Sequence, residues 1–177
     1  FDQGVVCYQE GNYDKALEHF HEAIVHGHVE SHTYIADCYH YGNGVEQIYE
    51  EAVKWYQKGA ELGSAVSQRN LGYCYAEGCG VEHSHEKAVE WYQKAADQND
   101  ADAQYAMANY YYNGIVVAQD YALAAKYYAL AAESEHVEAK YYLGLCYQNG
   151  YGVKKNDKKA LSLFMKAAEL GHPDAQN

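Results

Sequence analysis

The sequence predicts an all-α protein, a right-handed α/α solenoid of stacked helix-turn-helix repeats with a period of 36 residues. Two observations support this prediction. Gly42, Gly78, Gly114 and Gly150 are each 36 residues apart, and similar residues surround each of them. Apolar residues recur at steps of three and four on both sides of these glycines, which is the spacing of one helix face. A fixed period of this length indicates repeated two-helix units rather than one deep core.

The period predicts a single repeat array over residues 1–177. Four full repeats are expected at 29–64, 65–100, 101–136 and 137–172, after a shorter unit at 1–28. Residues 173–177 resemble the start of another repeat, because Asp174-Ala-Gln176 matches Asp102-Ala-Gln104. We therefore expect the chain to be a fragment of a longer array.

Turn residues recur at fixed places in the repeats. Glycine just after each first helix suits the left-handed backbone found at helix ends. A polar residue precedes most second helices, where its side chain can cap free backbone N–H groups. The predicted caps are Asn12, Ser84, Asp120 and Asn156. Ile48 replaces the cap in one repeat and predicts a frayed or differently started helix. Gly114-Ile-Val-Val117 lacks the second glycine and predicts a different loop.

The predicted core comes from three columns of aligned residues. The second helices place a small residue four positions before an aromatic ring, which allows close helix approach and fills the space between layers. The small residues are Ala16, Ala52, Ala88, Ala124 and Ala160, and the rings are Phe20, Tyr56, Tyr92, Tyr128 and Phe164. The first helices supply the facing column of Ile35, Leu71, Met107 and Leu143.

Several motifs of these repeats resemble the Sel-one-like repeat (SLR) family. They are Leu71-Gly72, the Gly-x-Gly-Val turns, Trp91-Tyr-Gln-Lys-Ala-Ala96 and Glu169-Leu-Gly171. The resemblance covers essentially the whole chain, and the unit at 1–28 is similar to a tetratricopeptide repeat. It implies an α-solenoid scaffold or adaptor for protein-protein interaction, which binds an extended peptide or a partner helix in its concave groove.

The resemblance to tetratricopeptide repeats also implies which first-helix residues face this groove. The predicted partner-binding residues are Thr33, Asp37, His40, Tyr41, Arg69, Tyr73, Glu77, Tyr105, Asn109, Tyr112, Asn113, Tyr141, Gln148 and Asn149. Tyrosine offers a large flat contact at low entropy cost, and amide side chains bind both polar groups of a peptide backbone. The alternative for each tyrosine is packing between layers without contact to a partner.

The cysteines are expected to be free thiols. Cys7, Cys38, Cys74 and Cys146 align in one column, one in each of four repeats. Secreted members of the resembling family join the two helices of a repeat through a cysteine in each helix, and the second-helix cysteines are missing here. The sequence therefore favours a reducing intracellular compartment.

The sequence predicts no catalytic residue, no metal site and no cofactor. No Ser-His-Asp or Cys-His spacing recurs in the chain. Cys79, His83 and His85 offer three ligands in one turn, but no fourth ligand is placed nearby. The alternative function from the resemblance is a β-lactamase-like or cell-wall-directed hydrolase, which belongs to the disulfide-joined branch of the family.

Charge and hydropathy narrow the partner class. The 25 acidic and 13 basic residues give a net charge of -12, which disfavours a nucleic-acid partner. No run approaches the roughly 20 apolar residues that a membrane span requires. The expected partner is a protein or a peptide. A further alternative is a purely structural spacer that self-associates end to end.

Overall fold

The computed structural model describes residues 1–176 and divides the chain into two compact units, unit 1 (Phe1–Trp91) and unit 2 (Tyr92–Asn177). Between residues 1 and 176 it contains ten α-helices and no strand. They are α1 (Asp2–Gln9), α2 (Tyr13–Val25), α3 (Glu30–Tyr41), α4 (Tyr49–Glu61), α5 (Ala65–Glu77), α6 (His85–Ala96), α7 (Ala101–Asn113), α8 (Tyr121–Glu133), α9 (Val137–Asn149) and α10 (Asp157–Glu169). The prediction of an all-α, helix-turn-helix repeat fold is confirmed. We call the odd-numbered helices first helices and the others second helices.

The core of each unit lies between the helices of a repeat and between neighbouring repeats. In unit 1, α3 packs on α4 and α4 packs on α5, and in unit 2, α7, α8 and α9 pack in the same order. Tyr56 and Leu71 are buried in unit 1, and Tyr128 and Leu143 are buried in unit 2. The three columns predicted from the sequence therefore supply the core, and only Phe164 of these residues is half-buried.

One backbone hydrogen bond recurs in the long turns and fixes where each second helix begins. The N–H before the helix donates to a tyrosine carbonyl of the preceding first helix, and the pairs are Ile48 with Tyr39, Ser84 with Tyr75, Asp120 with Tyr111 and Asn156 with Tyr147, at 2.8–3.0 Å. Because Ile48 makes this bond, α4 begins at Tyr49 just as α8 begins at the aligned Tyr121. The predicted fraying at Ile48 is wrong.

Three of the four predicted side-chain caps are present. Ser84, Asp120 and Asn156 each accept a hydrogen bond from a backbone N–H in the first turn of their helix. The prediction for Asn12 is wrong, because no cap bond forms there. The turn before α2 is shorter, and Asn12 has φ -87° and ψ 69° rather than the extended backbone of Asp120.

The four aligned cysteines are buried or half-buried free thiols, as the sequence predicts. Cys38, Cys74 and Cys146 are buried, whereas Cys7 is half-buried. A side chain added to Gly4 would collide with the Phe20 ring, just as one added to Gly144 would collide with Phe164. Gly4 and Gly144 therefore both leave room for the aromatic ring of the second helix.

A side-chain hydrogen bond joins each repeat to the one before it. The side chain donates to a backbone carbonyl near the end of the preceding second helix. The pairs are Gln68 with Ala60, Gln104 with Ala96, Lys140 with Ala132 and Gln176 with Ala168, at 2.7–3.4 Å. Each of these carbonyls also accepts from the backbone N–H three residues later, so the side-chain bond uses its second lone pair. The bond helps to set the position of the next repeat.

The loop that has lost its second glycine keeps the backbone of the others. Gly44, Gly80 and Gly152 have φ of 68–73°, and Val116 takes the same left-handed conformation with φ 51°. A β-branched residue is rarely found there because its Cβ crowds the backbone. The prediction that this loop differs is wrong, because its backbone follows the other loops. The missing glycine results instead in backbone strain at Val116.

No helix within residues 1–176 is both long enough and apolar enough to cross a membrane.

Replacing Val116 with Gly is expected to stabilise unit 2. The left-handed backbone at valine destabilises the folded state by roughly 1–3 kcal/mol, and glycine relieves this strain. Glycine also loses more conformational entropy on folding, which offsets about 0.5–1 kcal/mol of the gain. A net gain of about 1 kcal/mol should appear as a higher thermal midpoint. Gly152→Ala is the reciprocal control and should lower the midpoint, because its Cβ would collide with the Tyr121 carbonyl. An unchanged or lower midpoint for Val116→Gly would contradict the assignment of strain.

Candidate functional site

The predicted partner-binding residues all lie on first helices, and the structure separates them by exposure. The exposed members are Tyr41, Tyr73, Glu77, Asn113, Gln148 and Asn149. The half-buried members are Asp37, His40, Arg69, Tyr105, Asn109, Tyr112 and Tyr141. Thr33 is buried.

Members of the first predicted column make contacts within the repeats. The Thr33 hydroxyl lies 2.6 Å from the Ser67 hydroxyl in a buried hydrogen bond. Tyr105 stacks on the His136 ring at 4.6 Å, and Tyr141 stacks on the His172 ring at 4.2 Å. For these two tyrosines the structure shows the interlayer packing that was the alternative to partner contact. Thr33 is in no position to contact a partner.

Arg69 belongs to the same column and keeps its charge close to other polar groups of unit 1. Its Nε donates to Asn70 Oδ1 at 3.3 Å. It also lies close enough to Asp37 to favour the ionised carboxylate. The only arginine of the chain is therefore engaged with Asn70 and Asp37.

The second column contains the oxygen atoms that accept from buried tyrosine hydroxyls. Tyr56 donates to Asp37 Oδ1 at 2.5 Å in unit 1, and Tyr128 donates to Asn109 Oδ1 at 2.6 Å in unit 2. Where the ring is Phe164 and has no hydroxyl, the aligned first-helix residue is Leu145. A buried hydroxyl without a partner is costly, and the apolar Leu145 stands where the ring has no hydroxyl to satisfy.

Asp37 and Asn109 do the same structural task with different charge. Burial raises the pKa of Asp37 to about 6, although the hydrogen bond from Tyr56 and the positive charge of Arg69 both lower it. Asp37 is therefore ionised at neutral pH in a setting that disfavours its charge. The amide of Asn109 accepts the equivalent hydroxyl without that cost.

Three exposed tyrosines of unit 1 surround His40, and we call Tyr41, Tyr49 and Tyr73 the tyrosine rim. The His40 ring lies 4.7 Å from the Tyr41 ring, 5.1 Å from Tyr49 and 6.3 Å from Tyr73, in edge-to-face arrangements. Their exposed fractions are 65% for Tyr41, 47% for Tyr73 and 38% for Tyr49. Burial lowers the pKa of His40, so its imidazole is neutral at pH 7. The rim therefore presents aromatic surface around an uncharged ring.

Glu77 adds a negative charge beside the tyrosine rim. It lies one turn after Tyr73 on α5, so both side chains are on the same helix face. Partial burial raises the pKa of Tyr73, and the nearby Glu77 carboxylate and Tyr41 hydroxyl raise it further. Glu77 and Tyr41 are thus both close to the Tyr73 hydroxyl.

In unit 2 the exposed amides Asn113 and Asn149 stand where unit 1 has Tyr41 and Glu77, and the exposed Gln148 precedes Asn149. We call Asn113, Gln148 and Asn149 the amide surface. The Nδ2 of Asn113 donates to its own helix at the Asn109 carbonyl, 2.9 Å away, and Asn149 donates to the Leu145 carbonyl at 3.0 Å. Each amide therefore keeps its oxygen for an outside donor while part of its donor capacity is used within the helix.

A second group of tyrosines lies near the turns of unit 2. The Tyr112 ring is 5.2 Å from Tyr121 and 6.0 Å from Tyr151, and the Tyr121 and Tyr151 rings stack at 5.0 Å. These rings contact one another closely, and Tyr151 is 38% exposed. Tyr112 therefore packs into this group more than it faces solvent.

The sequence prediction missed Tyr49 and Tyr121. Both are the first residue of a second helix, and the groove positions were taken only from first helices. A signal was present, because the aligned residues are Tyr13, Tyr49, His85, Tyr121 and Asp157. An aromatic residue at the start of a helix that follows a tight turn lies beside the end of the preceding helix.

The remaining candidate groups for chemistry do not form a reactive centre in the described structure. Burial raises the pKa of Cys38 and Cys74 to about 12 and that of Cys146 to about 11, which disfavours the nucleophilic thiolate. All five cysteines are free thiols. Over residues 1–176 no group of three or more His, Cys, Asp and Glu side chains is placed to hold a metal ion.

Replacing Asp37 with Asn is expected to stabilise unit 1 at neutral pH. The folded-state pKa of Asp37 is raised, so the folded protein holds a proton between about pH 4 and pH 6 that the unfolded chain releases. Stability is therefore lost as pH rises through this window, and Asn removes the loss while still accepting from Tyr56. We expect a gain of about 1–3 kcal/mol at pH 7 and a smaller gain at pH 4.

Denaturant titrations at the two pH values measure this difference. Asn109→Asp in unit 2 is the reciprocal control and should destabilise more at pH 7 than at pH 4. A gain for Asp37→Asn that does not change with pH would contradict the buried-charge explanation.

Comparison with known proteins identifies the repeats. The Sel1 repeat family matches residues 3–28, 29–64, 65–100, 101–136 and 137–172. A Sel1 repeat protein from Oxalobacter formigenes is similar in structure, with 35% identity and a TM-score of 0.92 over 99% of this chain and 71% of its own. A search of curated proteins found no match.

Two further solved structures are similar. A protective antigen with an SLR fold, c5321 of uropathogenic Escherichia coli strains, has 31% identity and a TM-score of 0.88, covering 97% of this chain and 38% of its own. Cysteine rich protein B of Helicobacter pylori has 28% identity and a TM-score of 0.58, covering 72% of this chain and 92% of its own. The repeat boundaries, the turns and these likenesses agree: the chain belongs to the Sel1 repeat family.

Proposed function

We propose that the chain is a non-enzymatic scaffold that holds an extended peptide or a helix of a partner protein in a groove lined by its first helices. Sel1-repeat proteins are generally protein-interaction scaffolds, which supports the general role. The observation that carries the specific proposal is the exposure of Tyr41 and Tyr73 on α3 and α5, within reach of one His40 ring.

Exposed tyrosines are well suited to partner contact. A tyrosine ring brings a large contact area and loses little side-chain entropy when it is ordered, and such rings are frequent at the centres of interfaces. In unit 1 the Tyr41 and Tyr73 rings already contact His40, so binding would restrict them further by only a small amount. Both residues belong to the predicted partner-binding set.

The amide surface supplies a different kind of contact in unit 2. The side-chain oxygens of Asn113 and Asn149 can accept hydrogen bonds. The backbone N–H groups of an extended partner peptide can donate them. In our proposal these amides and the tyrosine rim contact the same type of partner, a segment whose backbone is accessible. Thr33 takes no part, because it is buried. Tyr105 and Tyr141 are half-buried and offer only part of their rings, because each stacks on a histidine.

The hydrolase alternative has less support than the scaffold. A hydrolase of this kind needs an activated nucleophile beside a base. The three buried cysteines have raised pKa values, and the tyrosine rim surrounds a histidine whose pKa is lowered by burial. We therefore assign no catalytic residue and no cofactor.

Position-specific photo-cross-linking tests the scaffold proposal. A photoreactive amino acid replaces Tyr73 or Gln148 on first helices, and Lys54 or Lys126 on second helices provides exposed controls. In cells that produce the chain, we expect a protein adduct from the first-helix positions and little from the controls. Equal or stronger adducts from Lys54 and Lys126 would place the partner on the second helices and refute the proposal.

End-to-end self-association of a structural spacer is the second candidate, and exposed apolar residues on α10 favour it. Leu161 is 61% exposed and Met165 is 56% exposed. Of the residues aligned with Leu161 in earlier repeats, Val53 and Ala125 are only 9% and 2% exposed, and Leu17 and Val89 are half-buried. The exposed face of α10 therefore has the apolar character of a face that other repeats cover.

Light scattering over a range of concentrations tests this candidate. If the α10 face pairs with another copy, the mass should rise with concentration, and Leu161→Ser combined with Met165→Ser should abolish the rise. Because both residues are exposed, the double variant should keep the helical content of the parent. A mass that stays at one chain over the whole range would exclude self-association.

A further inference from the structure

Unit 1 carries most of the negative charge of the chain. Fifteen of the 25 acidic residues lie between Phe1 and Trp91, together with only five of the 13 basic residues. Its net charge is therefore -10, against -2 for the rest of the chain. A field of this sign attracts a positively charged partner and repels an acidic one.

The lysines of unit 1 all lie on its second helices, and Lys87 contacts the Tyr75 ring of α5 at 5.1 Å. The four lysines are Lys15, Lys54, Lys58 and Lys87, on α2, α4 and α6. The first helices carry one cation, Arg69, and its charge is offset by the neighbouring Asp37 carboxylate. Glu77 lies beside the tyrosine rim, two turns after Arg69 on α5.

The hydrogen bond that Asp37 accepts from a buried tyrosine does not require its negative charge. Asn109 accepts the equivalent tyrosine hydroxyl in unit 2 at 2.6 Å, compared with 2.5 Å for Asp37. The charge nonetheless lies one turn before Tyr41 on the same face of α3. It offsets the positive charge of Arg69 on the side of unit 1 where the rim is exposed.

Aromatic rings and a carboxylate together favour a basic side chain. A guanidinium or ammonium group is attracted to the face of a tyrosine ring, and a carboxylate beside the ring adds a charge-assisted hydrogen bond. Arginine suits both contacts better than lysine, because its planar group stacks on rings and binds carboxylates through two N–H groups. The neutral His40 ring adds no repulsion to an approaching cation.

We infer that the tyrosine rim and Glu77 form a docking site for a basic, arginine-containing peptide segment of a partner protein. This inference rests on the proposed scaffold function and gives its unit 1 surface a partner class. An arginine side chain lies on the exposed face of Tyr41 or Tyr73, and its guanidinium donates to the Glu77 carboxylate. The surrounding acidic residues of unit 1 speed the approach of the segment.

Binding of synthetic peptides by fluorescence anisotropy tests the inference. The probe is a labelled peptide of Gly, Ser and regularly spaced Arg, and its counterparts carry Lys, Gln or Glu in place of Arg. With the whole chain we expect the Arg peptide to bind most tightly, the Lys peptide less tightly, and the Gln and Glu peptides weakly or not at all. Binding should weaken as salt is raised.

Variants of the rim separate direct contact from general attraction. Tyr41→Ala combined with Tyr73→Ala should weaken binding of the Arg peptide roughly tenfold, and the corresponding Phe variants should keep most of it. Glu77→Gln should weaken it roughly threefold. Glu90→Gln changes the net charge equally at an exposed position on α6 and should have a smaller effect. Tyr151→Ala in unit 2 is the ring control and should leave binding unchanged.

Each contrary result has a defined meaning. Equal losses for Glu77→Gln and Glu90→Gln, with no loss for the Tyr to Ala pair, would show general attraction and overturn the docking site. Tighter binding of the Gln or Glu peptide, still dependent on Tyr41 and Tyr73, would overturn the basic partner and leave the scaffold proposal intact. Failure of every peptide to bind would also overturn the inference, and the cross-linking experiment would then decide the scaffold proposal separately.

Discussion

The packing of one aromatic ring between the two helices of each repeat is the constraint on which the rest of the structure depends. The ring fills the space that a neighbouring small residue opens, and Tyr56 and Tyr128 are 2% and 0% exposed. A buried tyrosine hydroxyl requires an acceptor, which Asp37 and Asn109 supply from the first helix. This pairing directs Asp37 and Asn109 toward the second helix of their repeat. The residue one turn later on the first helix, such as Tyr41, is exposed to solvent. The candidate surface is therefore a consequence of how the repeat is packed.

The repeats share the same backbone structure, but their exposed residues differ. The residue one turn after the paired acceptor is Tyr41 in one repeat and Asn113 in another, and both are exposed. In unit 1 it lies near Tyr73 and Glu77 in a region of excess negative charge, and in unit 2 it belongs to a group of amides. Because the backbone is held by ring packing, glycine turns and bonds such as Gln68 to Ala60, these outward residues are free to vary without loss of the fold.

The fold was predictable from the sequence because a period repeated through the chain averages out local exceptions. Ile48 and Val116 break the pattern of their columns, and both were expected to change local structure. The backbone bond from Ile48 to the Tyr39 carbonyl and the left-handed backbone of Val116 show that packing in the repeat overrides the local preference. The site was less predictable, because a column fixes which helix a residue belongs to and not whether its side chain reaches solvent. Thr33 finds a partner in Ser67, 34 residues away, and no local pattern indicates such a bond.

A structure of the chain bound to the arginine peptide tests the central claim most directly. Our account predicts that a guanidinium lies over the ring of Tyr41 or Tyr73, within about 6 Å of its centre, and donates to the Glu77 carboxylate. A peptide seated on the second helices, with the faces of both tyrosines left open to solvent, would contradict it.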